Sequence, residues 1–167
     1  MLTENTIYLG IGSNINRVEN IQSCLDYFSR SFRYCQVSPA YQSPSYGFSG
    51  HDFYNLVVKI KSSFDLVSLK KWLIVVEDMH GRDRKQARYS NRTLDIDILF
   101  YNEDVSDNNT IKIPRPEILT QAYVLKPLVD LAPDMVHPET GRTLIHHWNS
   151  LKFSQNFILQ KVMLKEI

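Results

Sequence analysis

The pattern of apolar and polar residues divides the chain into strand-like and helix-like segments. Alternating or continuous apolar runs predict strands at residues 7–12, 34–43, 53–60 and 94–101. Apolar residues three or four positions apart predict two helices, the first with Val18, Ile21, Leu25 and Phe28 on one side and the second with Leu66, Leu69, Leu73 and Val76. The stretch PSYGFSGHD between the second and third strands is rich in turn residues and predicts a long loop.

These elements follow one another in the order βαββαβ. An antiparallel sheet with both helices on one face buries every apolar stripe, so we expect an α+β fold of the ferredoxin-like type. Residues 102–167 form a C-terminal extension that contains a proline-rich connection and a short helix near residues 128–134. The length of 167 residues suits one domain, which we take to span residues 1–167.

Composition argues against several classes of protein. The formal net charge is +1 and 22% of the residues are charged, which does not suit a globally basic nucleic-acid binder or an acidic disordered chain. The segment MLTENTIYLGIG lacks the features of a signal peptide, and no apolar run is long enough to span a bilayer, so we expect a soluble cytoplasmic protein. Cys24 and Cys35 form no CxxC pair and are assigned no metal or redox role.

The last predicted strand carries two acidic residues in the stretch RTLDIDIL, residues 92–99. Because side chains alternate across a sheet, Leu94, Ile96 and Ile98 should face the core. Asp95 and Asp97 should then share the open face, roughly 6 to 7 Å apart. Two bare carboxylates at that distance repel by roughly 2 kcal/mol at an effective dielectric near 20. A sheet would keep such a pair only if it is solvated, protonated or neutralised by bound cations.

A basic segment, GRDRKQARYSNRT at residues 81–93, leads directly into the acidic pair. It can be read as a solvated charge run, with the cations Arg82, Arg84, Lys85, Arg88 and Arg92. Its position beside two carboxylates favours another interpretation, in which arginines bind phosphate oxygens that carboxylate-held Mg²⁺ ions also bridge. There is no Walker A sequence, so arginines and metal would have to hold any nucleotide.

Five stretches together resemble the 6-hydroxymethyl-7,8-dihydropterin pyrophosphokinase family of folate biosynthesis. They are LGIGSN, QSPSYG, FYNLVV, the basic segment joined to RTLDIDIL, and IPRPEILTQAYVLKPL, in the family's order and approximate spacing over most of the chain. The basic segment joined to RTLDIDIL is the most specific of the five. The resemblance implies transfer of the intact β,γ-pyrophosphoryl group from MgATP to the pterin hydroxymethyl group, with release of AMP.

The resemblance also implies roles for individual residues. Asp95 and Asp97 correspond to the ligands of two Mg²⁺ ions, and Arg82 and Arg92 to a mobile and a fixed cation of the transition state. The residues that correspond to the nucleotide side are Glu77, Arg84, Arg88, Tyr89, Arg92 and Ile98. Three of these, Arg84, Arg88 and Tyr89, lie in a loop that is expected to contact phosphate and close over the site. Closure would exclude water, which otherwise hydrolyses ATP.

A pterin needs a flat aromatic slot and hydrogen bonds along its amide and amino edge. Phe53 and Tyr123 correspond to the slot, although such residues are more often ordinary core aromatics. Asn55 can present both a donor and an acceptor to the edge. Ser43 and Tyr46 correspond to positions whose backbone groups contact the pterin.

The chain departs from the family pattern after the dipeptide IP, where the family often has His-Pro or His-Tyr and then a downstream arginine. Here the residues are Arg115, Pro116 and Gln121. We predict that Arg115 supplies a triphosphate contact in place of the missing arginine. The alternative is a divergent paralogue that uses a related reduced pterin.

Two other classes of function share part of this pattern. An RNA-binding module also has the order βαββαβ, and Phe53 and Tyr54 can stack on bases, but its aromatic signature is missing and the acidic pair would repel a nucleic-acid backbone. A metal-dependent phosphohydrolase would use the same acids and arginines without an aromatic slot. We therefore expect ATP and a reduced hydroxymethyl pterin as partners, with no nucleic acid and no membrane, and a monomer is favoured.

Overall fold

The computed structural model describes residues 3–108, 110–154 and 159–164. The strands are β1 (Asn5–Ser13), β2 (Cys35–Val37), β3 (Ala40–Ser43), β4 (Phe53–Ser62), β5 (Asp95–Tyr101), β6 (Ser106–Asp107), β7 (Lys112–Ile113) and β8 (Gln160–Val162). The helices are α1 (Arg17–Ser31), α2 (Leu66–Met79), α3 (Glu117–Thr120), α4 (Ala122–Leu131) and α5 (Leu144–Ser154). In the described part of the chain, no helix combines the length and apolar character needed to cross a membrane.

The four strands and two helices predicted from periodicity are present, but the second predicted strand is divided into β2 and β3. Pro39 lies at the division, and proline has no backbone N–H to continue a strand ladder. Ser38 bridges the gap, because its N–H donates to the carbonyl of Val57 (2.9 Å) and its hydroxyl accepts from the N–H of Val57 (2.8 Å). Both short strands therefore stay paired with β4.

The main sheet is antiparallel throughout, in the order β5-β1-β4-β3-β8, and β2 also pairs with β4. The central pair of strands, β1 and β4, is the longest, and its register runs from Asn5 opposite Ser62 to Ser13 opposite Tyr54. On the other side of β1, Gly12 is opposite Asp95. The acidic start of β5 therefore lies beside the glycine-containing end of β1.

One face of the sheet packs against α1 and α2. Leu94, Ile96 and Ile98 are buried there, together with fully buried helix residues such as Phe28 and Leu69. The alternation predicted for RTLDIDIL is thus confirmed up to Ile98. Burying side chains of this size stabilises the fold by roughly 1.5–3 kcal/mol each.

The opposite face of the sheet is open only in part, so the expectation of an open face holds around Asp95 and Asp97 and is wrong for the rest of that face. Helices α3, α4 and α5 of the C-terminal extension pack on part of it and form a second core. The register shifts between Tyr8 and Leu9, so Leu99 and Phe100 both contribute to this core and pack with helix residues such as Leu125. Strict alternation would have sent Phe100 to the other face, which is why the sequence pattern did not predict a second apolar surface.

The C-terminal helices leave part of this second face uncovered, and two glycines of β1 lie there. Gly10 is opposite Asp97 and Gly12 is opposite Asp95. A Cβ atom on Gly12 would come within 2.9 Å of the Oδ1 atom of Asn55, closer than real contacts allow. The missing side chains therefore keep the sheet accessible beside the acidic pair.

Candidate active site

A cavity of about 540 Å³ lies over this uncovered part of the sheet. Its floor is formed by β1, β4 and β5, and its walls by the loop before β4, the basic segment and the first residues of α3 and α4. The cavity brings together most of the residues singled out in the sequence, which are Arg82, Arg88, Tyr89, Arg92, Asp95, Asp97, Arg115, Ser43, Tyr46, Phe53, Asn55 and Tyr123. Three others, Glu77, Arg84 and Ile98, do not line it.

Each carboxylate of the acidic pair faces an arginine. The Nη1 atom of Arg82 lies 3.0 Å from Asp95 Oδ1, and the Nη2 atom of Arg115 lies 3.5 Å from Asp97 Oδ1. The Asp95 and Asp97 side chains remain 42% and 41% exposed, so both also reach the cavity. The two arginines partly neutralise the pair.

The Asp97 carboxyl group resists ionisation in this position. Loss of hydration raises the pKa of Asp97 to about 6, repulsion by Asp95 adds to this increase, and Arg115 partly offsets it. A divalent cation would relieve this repulsion, and carboxylate oxygens are ligands that Mg²⁺ prefers. The described residues contain no group of three or more His, Cys, Asp or Glu that could hold a metal alone. The donor set therefore fits a Mg²⁺ ion that takes its other ligands from phosphate and water.

Glu77 lies at the end of α2 behind the basic segment, where its side chain is 8% exposed. Its Oε2 atom is 3.3 Å from Arg82 Nη1 and 4.0 Å from Arg84 Nη1. Burial raises the pKa of Glu77 to about 8, repulsion by Asp95 acts in the same direction, and the two arginines act against it. Glu77 therefore holds Arg82 from the protein side of the cavity wall.

Arg84 and Ile98 also lie outside the cavity. The Nε atom of Arg84 pairs with Asp78 Oδ1 at 2.9 Å, and its Nη2 atom donates to the carbonyl of Ile74 at 3.1 Å, so it lies along α2. The Ile98 side chain is buried in the core under α1 and α2, on the opposite face of the sheet. In this conformation, neither side chain can touch a ligand in the cavity.

The two loops at the mouth of the cavity contact each other through aromatic rings. Tyr46 and Tyr89 meet edge to face at 5.8 Å, and the Arg88 guanidinium lies 5.2 Å from the centre of the Tyr89 ring. A Cβ atom on Gly47 would come within 2.9 Å of the Tyr89 ring. These contacts join the loop before β4 to the basic segment at the edge of the cavity.

Arg92 is buried at the base of the basic segment. Its Nη2 atom donates to the carbonyls of Ala87 and Arg88, each at 2.7 Å, and its Nη1 atom contacts the Ser90 hydroxyl. Burial lowers the pKa of Arg92, and the nearby Arg82 lowers it further. The side chain thus fixes the shape of the loop as well as lining the cavity.

The pocket predicted for the pterin lies at the β3–β4 side of the cavity. Asn55 is buried, and its Nδ2 atom donates to the Ser43 hydroxyl at 2.8 Å. Phe53 meets Phe48 edge to face at 6.3 Å. Burial raises the pKa of Tyr123 to about 12, so the phenol stays protonated and can donate a hydrogen bond. Phe48 adds an aromatic surface that sequence reasoning did not identify.

Asn14 is a further residue that sequence reasoning missed. Its Oδ1 atom accepts from the N–H of Arg92 at 2.7 Å. Its Nδ2 atom donates to the carbonyl of His51 at 3.1 Å and to Asn91 Oδ1 at 2.9 Å. Asn14 therefore ties the end of β1 to both loops around the cavity. Its place at the end of LGIGSN was the available signal, but that motif carried no assigned role.

Comparison with known proteins gives a consistent result. Residues 8–133 match the family described as 7,8-dihydro-6-hydroxymethylpterin-pyrophosphokinase. The chain is 37% identical over 142 residues to the Pseudomonas aeruginosa 2-amino-4-hydroxy-6-hydroxymethyldihydropteridine pyrophosphokinase, covering 83% of this chain and 86% of that protein. It is 31% identical over 153 residues to the folic acid synthesis protein fol1 of Pneumocystis carinii, covering 90% of this chain and 20% of that protein.

Among solved structures, the Plasmodium falciparum HPPK-DHPS triple mutant shares the fold, with a TM-score of 0.68 at 15% identity. The match covers 89% of this chain and 44% of that one. The chain thus spans a minor part of the fused proteins it matches and most of the Pseudomonas protein. An antiparallel sheet with carboxylates, arginines and aromatic rings around one cavity suits a protein that binds a phosphorylated ligand beside a flat one. The chain belongs to the 7,8-dihydro-6-hydroxymethylpterin-pyrophosphokinase family.

Proposed function

We propose that this protein transfers the β,γ-pyrophosphoryl group of MgATP to the hydroxymethyl group of 6-hydroxymethyl-7,8-dihydropterin and releases AMP, a step of folate biosynthesis. The observation that carries the proposal is one cavity that combines two carboxylates, a ring of arginines and a polar aromatic pocket. Family membership supports the same reaction.

We assign the acidic pair to metal binding. Asp95 and Asp97 would hold two Mg²⁺ ions, which would neutralise the triphosphate and orient the incoming hydroxyl. Arg82 and Arg92 would stabilise the charge that develops on the transferred group. Arg82 would exchange its contact with Asp95 for phosphate oxygens, while Glu77 would keep the side chain in the cavity wall. Arg92 is anchored by loop carbonyls and would act from a fixed place.

The remaining nucleotide contacts are assigned to the walls of the cavity. Arg88, Tyr89 and Arg115 line it, and they are proposed to bind the triphosphate directly. For Arg84 to do the same, the basic segment has to move, because this side chain lies along α2. Glu77 is assigned to holding Arg82. Ile98 can contribute to the nucleotide side only through its backbone, since its side chain is in the core.

The pterin is assigned to the β3–β4 side of the cavity. Phe53 and Tyr123 would hold its flat ring, and the buried Asn55 amide would read its polar edge. Ser43 would hold Asn55 in the correct orientation through the 2.8 Å hydrogen bond, in addition to any backbone contact. Tyr46 would close the pocket against the basic segment, which excludes water from the transferred group.

Further features of the protein belong to the same proposal. The strand order β5-β1-β4 with β2 and β3 beyond β4 supports a ferredoxin-like arrangement, here with helices on part of the second face as well. We propose one catalytic domain over residues 1–167, acting as a monomer in the cytoplasm. The alternative of an RNA-binding module is not favoured, because α3 to α5 cover sheet surface that such a module would present to bases.

The test is to incubate the protein with MgATP and 6-hydroxymethyl-7,8-dihydropterin and to separate the products. Pyrophosphoryl transfer gives AMP and the pterin diphosphate in equal amounts, and AMP formation requires the pterin. A phosphohydrolase would release phosphate or pyrophosphate without the pterin. ADP as the main product, or nucleotide turnover that does not depend on the pterin, would contradict the proposal.

A further inference from the structure

Arg115 lies between two carboxylates inside the cavity. Its Nη2 atom is 3.5 Å from Asp97 Oδ1, and its Nε atom is 3.4 Å from Glu117 Oε2. The backbone of Arg115 is anchored as well, because its N–H donates to the carbonyl of Leu99 at 3.1 Å and its carbonyl accepts from the N–H of Ile118 at 3.2 Å. The backbone is therefore fixed, while the guanidinium can pivot between partners.

The two carboxylates that hold Arg115 both line the cavity, but the Glu117 side chain, which is 34% exposed, contacts the guanidinium through a buried oxygen atom. The Asp97 side chain is 41% exposed, so a cation that enters the cavity can reach it. The Oε2 atom of Glu117 is buried, and it forms no hydrogen bond within the part of the chain that the structure describes. Its ion pair with Arg115 is what offsets its charge. An entering cation would therefore break the contact with Asp97 and leave the contact with Glu117 in place.

A guanidinium and a divalent cation cannot share the same carboxylate oxygen without strong repulsion. We propose that Arg115 is an internal counter-cation of Asp97, which a divalent metal ion must displace. We further infer that Glu117 is a positioning residue, which keeps the displaced guanidinium in the cavity where it can bind an anionic ligand such as a triphosphate. This rests on the proposed function in that Asp97 is taken as a metal ligand and Arg115 as a triphosphate contact.

The inference predicts that Arg115 opposes metal binding when no nucleotide is present. We would titrate the protein with Mn²⁺ alone, followed by electron paramagnetic resonance of the free ion. Partly exposed ion pairs contribute up to about 1 kcal/mol, so Arg115→Ala should bind Mn²⁺ about two- to fivefold more tightly than wild type. Arg115→Lys should restore binding to near the wild-type level, because it keeps the positive charge.

Two controls locate the effect. Arg33→Ala removes an exposed arginine that does not line the cavity, and it should bind Mn²⁺ like wild type. In an Asp97→Asn background, Arg115→Ala should no longer tighten Mn²⁺ binding, because the competition for Asp97 is gone. Unchanged or weaker Mn²⁺ binding by Arg115→Ala would overturn the inference. Tighter Mn²⁺ binding caused by Arg115→Ala in the Asp97→Asn background would overturn it as well.

The role of Glu117 is tested by a double-mutant cycle with Arg115. Glu117→Gln releases Arg115 to Asp97 alone, so it should weaken Mn²⁺ binding in the wild-type background. In the Arg115→Ala background, Glu117→Gln should reduce the free energy of Mn²⁺ binding by no more than half as much as it does in the wild-type background. If both backgrounds show the same loss, Glu117 acts on the metal directly and its assignment as a positioning residue is wrong.

A second measurement tests whether Arg115 contributes to nucleotide binding. With Mg²⁺ present, Arg115→Ala should bind a non-hydrolysable ATP analogue about tenfold more weakly, since a charge-assisted bond to phosphate is lost. Equal affinity in wild type and variant would exclude Arg115 as a triphosphate contact. These measurements do not depend on turnover. Failure to form AMP would count against the proposed function alone, whereas unchanged metal and nucleotide binding in an active enzyme would count against this inference alone.

Discussion

Asn14 is predicted to determine whether the two loops around the cavity stay in place. Asn14→Ala removes the acceptor for the buried N–H of Arg92 and two donated hydrogen bonds, to His51 and Asn91. A buried donor left without a partner costs about 1–3 kcal/mol, and each lost hydrogen bond about 0.5–1.5 kcal/mol. Since water can replace Asn14 at the two loop acceptors, we expect a loss of about 2 to 4 kcal/mol in the free energy of unfolding.

The activity loss should exceed what the stability loss explains. Under conditions where the variant is fully folded, AMP formation should fall at least about tenfold, because positioning of catalytic groups depends on both loops. Asn14→Asp distinguishes the contribution of the loop before β4 from that of the basic segment. It keeps an acceptor for Arg92 but places a buried carboxylate oxygen opposite the His51 carbonyl, so it should cost at least as much stability as Asn14→Ala and should still impair pterin binding.

Asn20→Ala is a matched control, because it removes one asparagine hydrogen bond, to the carbonyl of Ile15 at 2.7 Å, without touching either loop. It should lose about 1 kcal/mol of stability and keep near-normal activity. Urea unfolding, initial rates of AMP formation and hydrogen exchange of the amides in residues 82–92 give the three readouts. Wild-type rates and wild-type pterin affinity in a folded Asn14→Ala protein would refute the reasoning.

Four other predictions concern single residues. Asp97→Asn should abolish most turnover and leave the fold intact, and near-normal AMP formation would exclude it as a metal ligand. Arg82→Ala should slow single-turnover chemistry about 100-fold while changing substrate affinity much less; the reverse pattern would contradict a transition-state role. Because burial raises the pKa of Glu77 to about 8, the folded state retains a proton that the unfolded state loses, so this group lowers stability as pH rises from about 4.5 to 8. Glu77→Gln should therefore gain stability over wild type at pH 8 and not at pH 4, as measured by urea unfolding at both pH values; an equal difference at both would be inconsistent with this pKa. Gly12→Ala should raise the pterin KM about tenfold and leave the ATP KM within about twofold, because its Cβ would meet Asn55 at 2.9 Å, and equal effects on both substrates would argue against the assigned pocket.

Local patterns were sufficient for the elements that bear the site. The alternation in RTLDIDIL predicted that Leu94, Ile96 and Ile98 face the core and that Asp95 and Asp97 share the other face, and burial of the three apolar residues confirms the first part. Such patterns succeed because the strand period and the preference for burying apolar groups act over a few neighbouring residues. The same reasoning failed beyond Ile98, where the shift in register between β1 and β5 puts Phe100 on the opposite face from the one that alternation predicts. No local feature of the sequence indicates this shift.

The residue pattern was sufficient to predict the order βαββαβ up to residue 101, the shared face of the acidic pair and the basic segment beside it. Tertiary structure alone decided which charges meet. Glu77 holds Arg82 from behind the cavity, Arg115 pairs with Asp97, and Asn14 reaches a loop almost eighty residues away, as its hydrogen bond to Arg92 spans 78 positions. These contacts depend on how helices and loops pack over the sheet, and small differences between large packing and entropy terms decide that packing. No short stretch of sequence specifies this packing. The residue types of the site could therefore be predicted, but the ion pairs and hydrogen bonds between them could not.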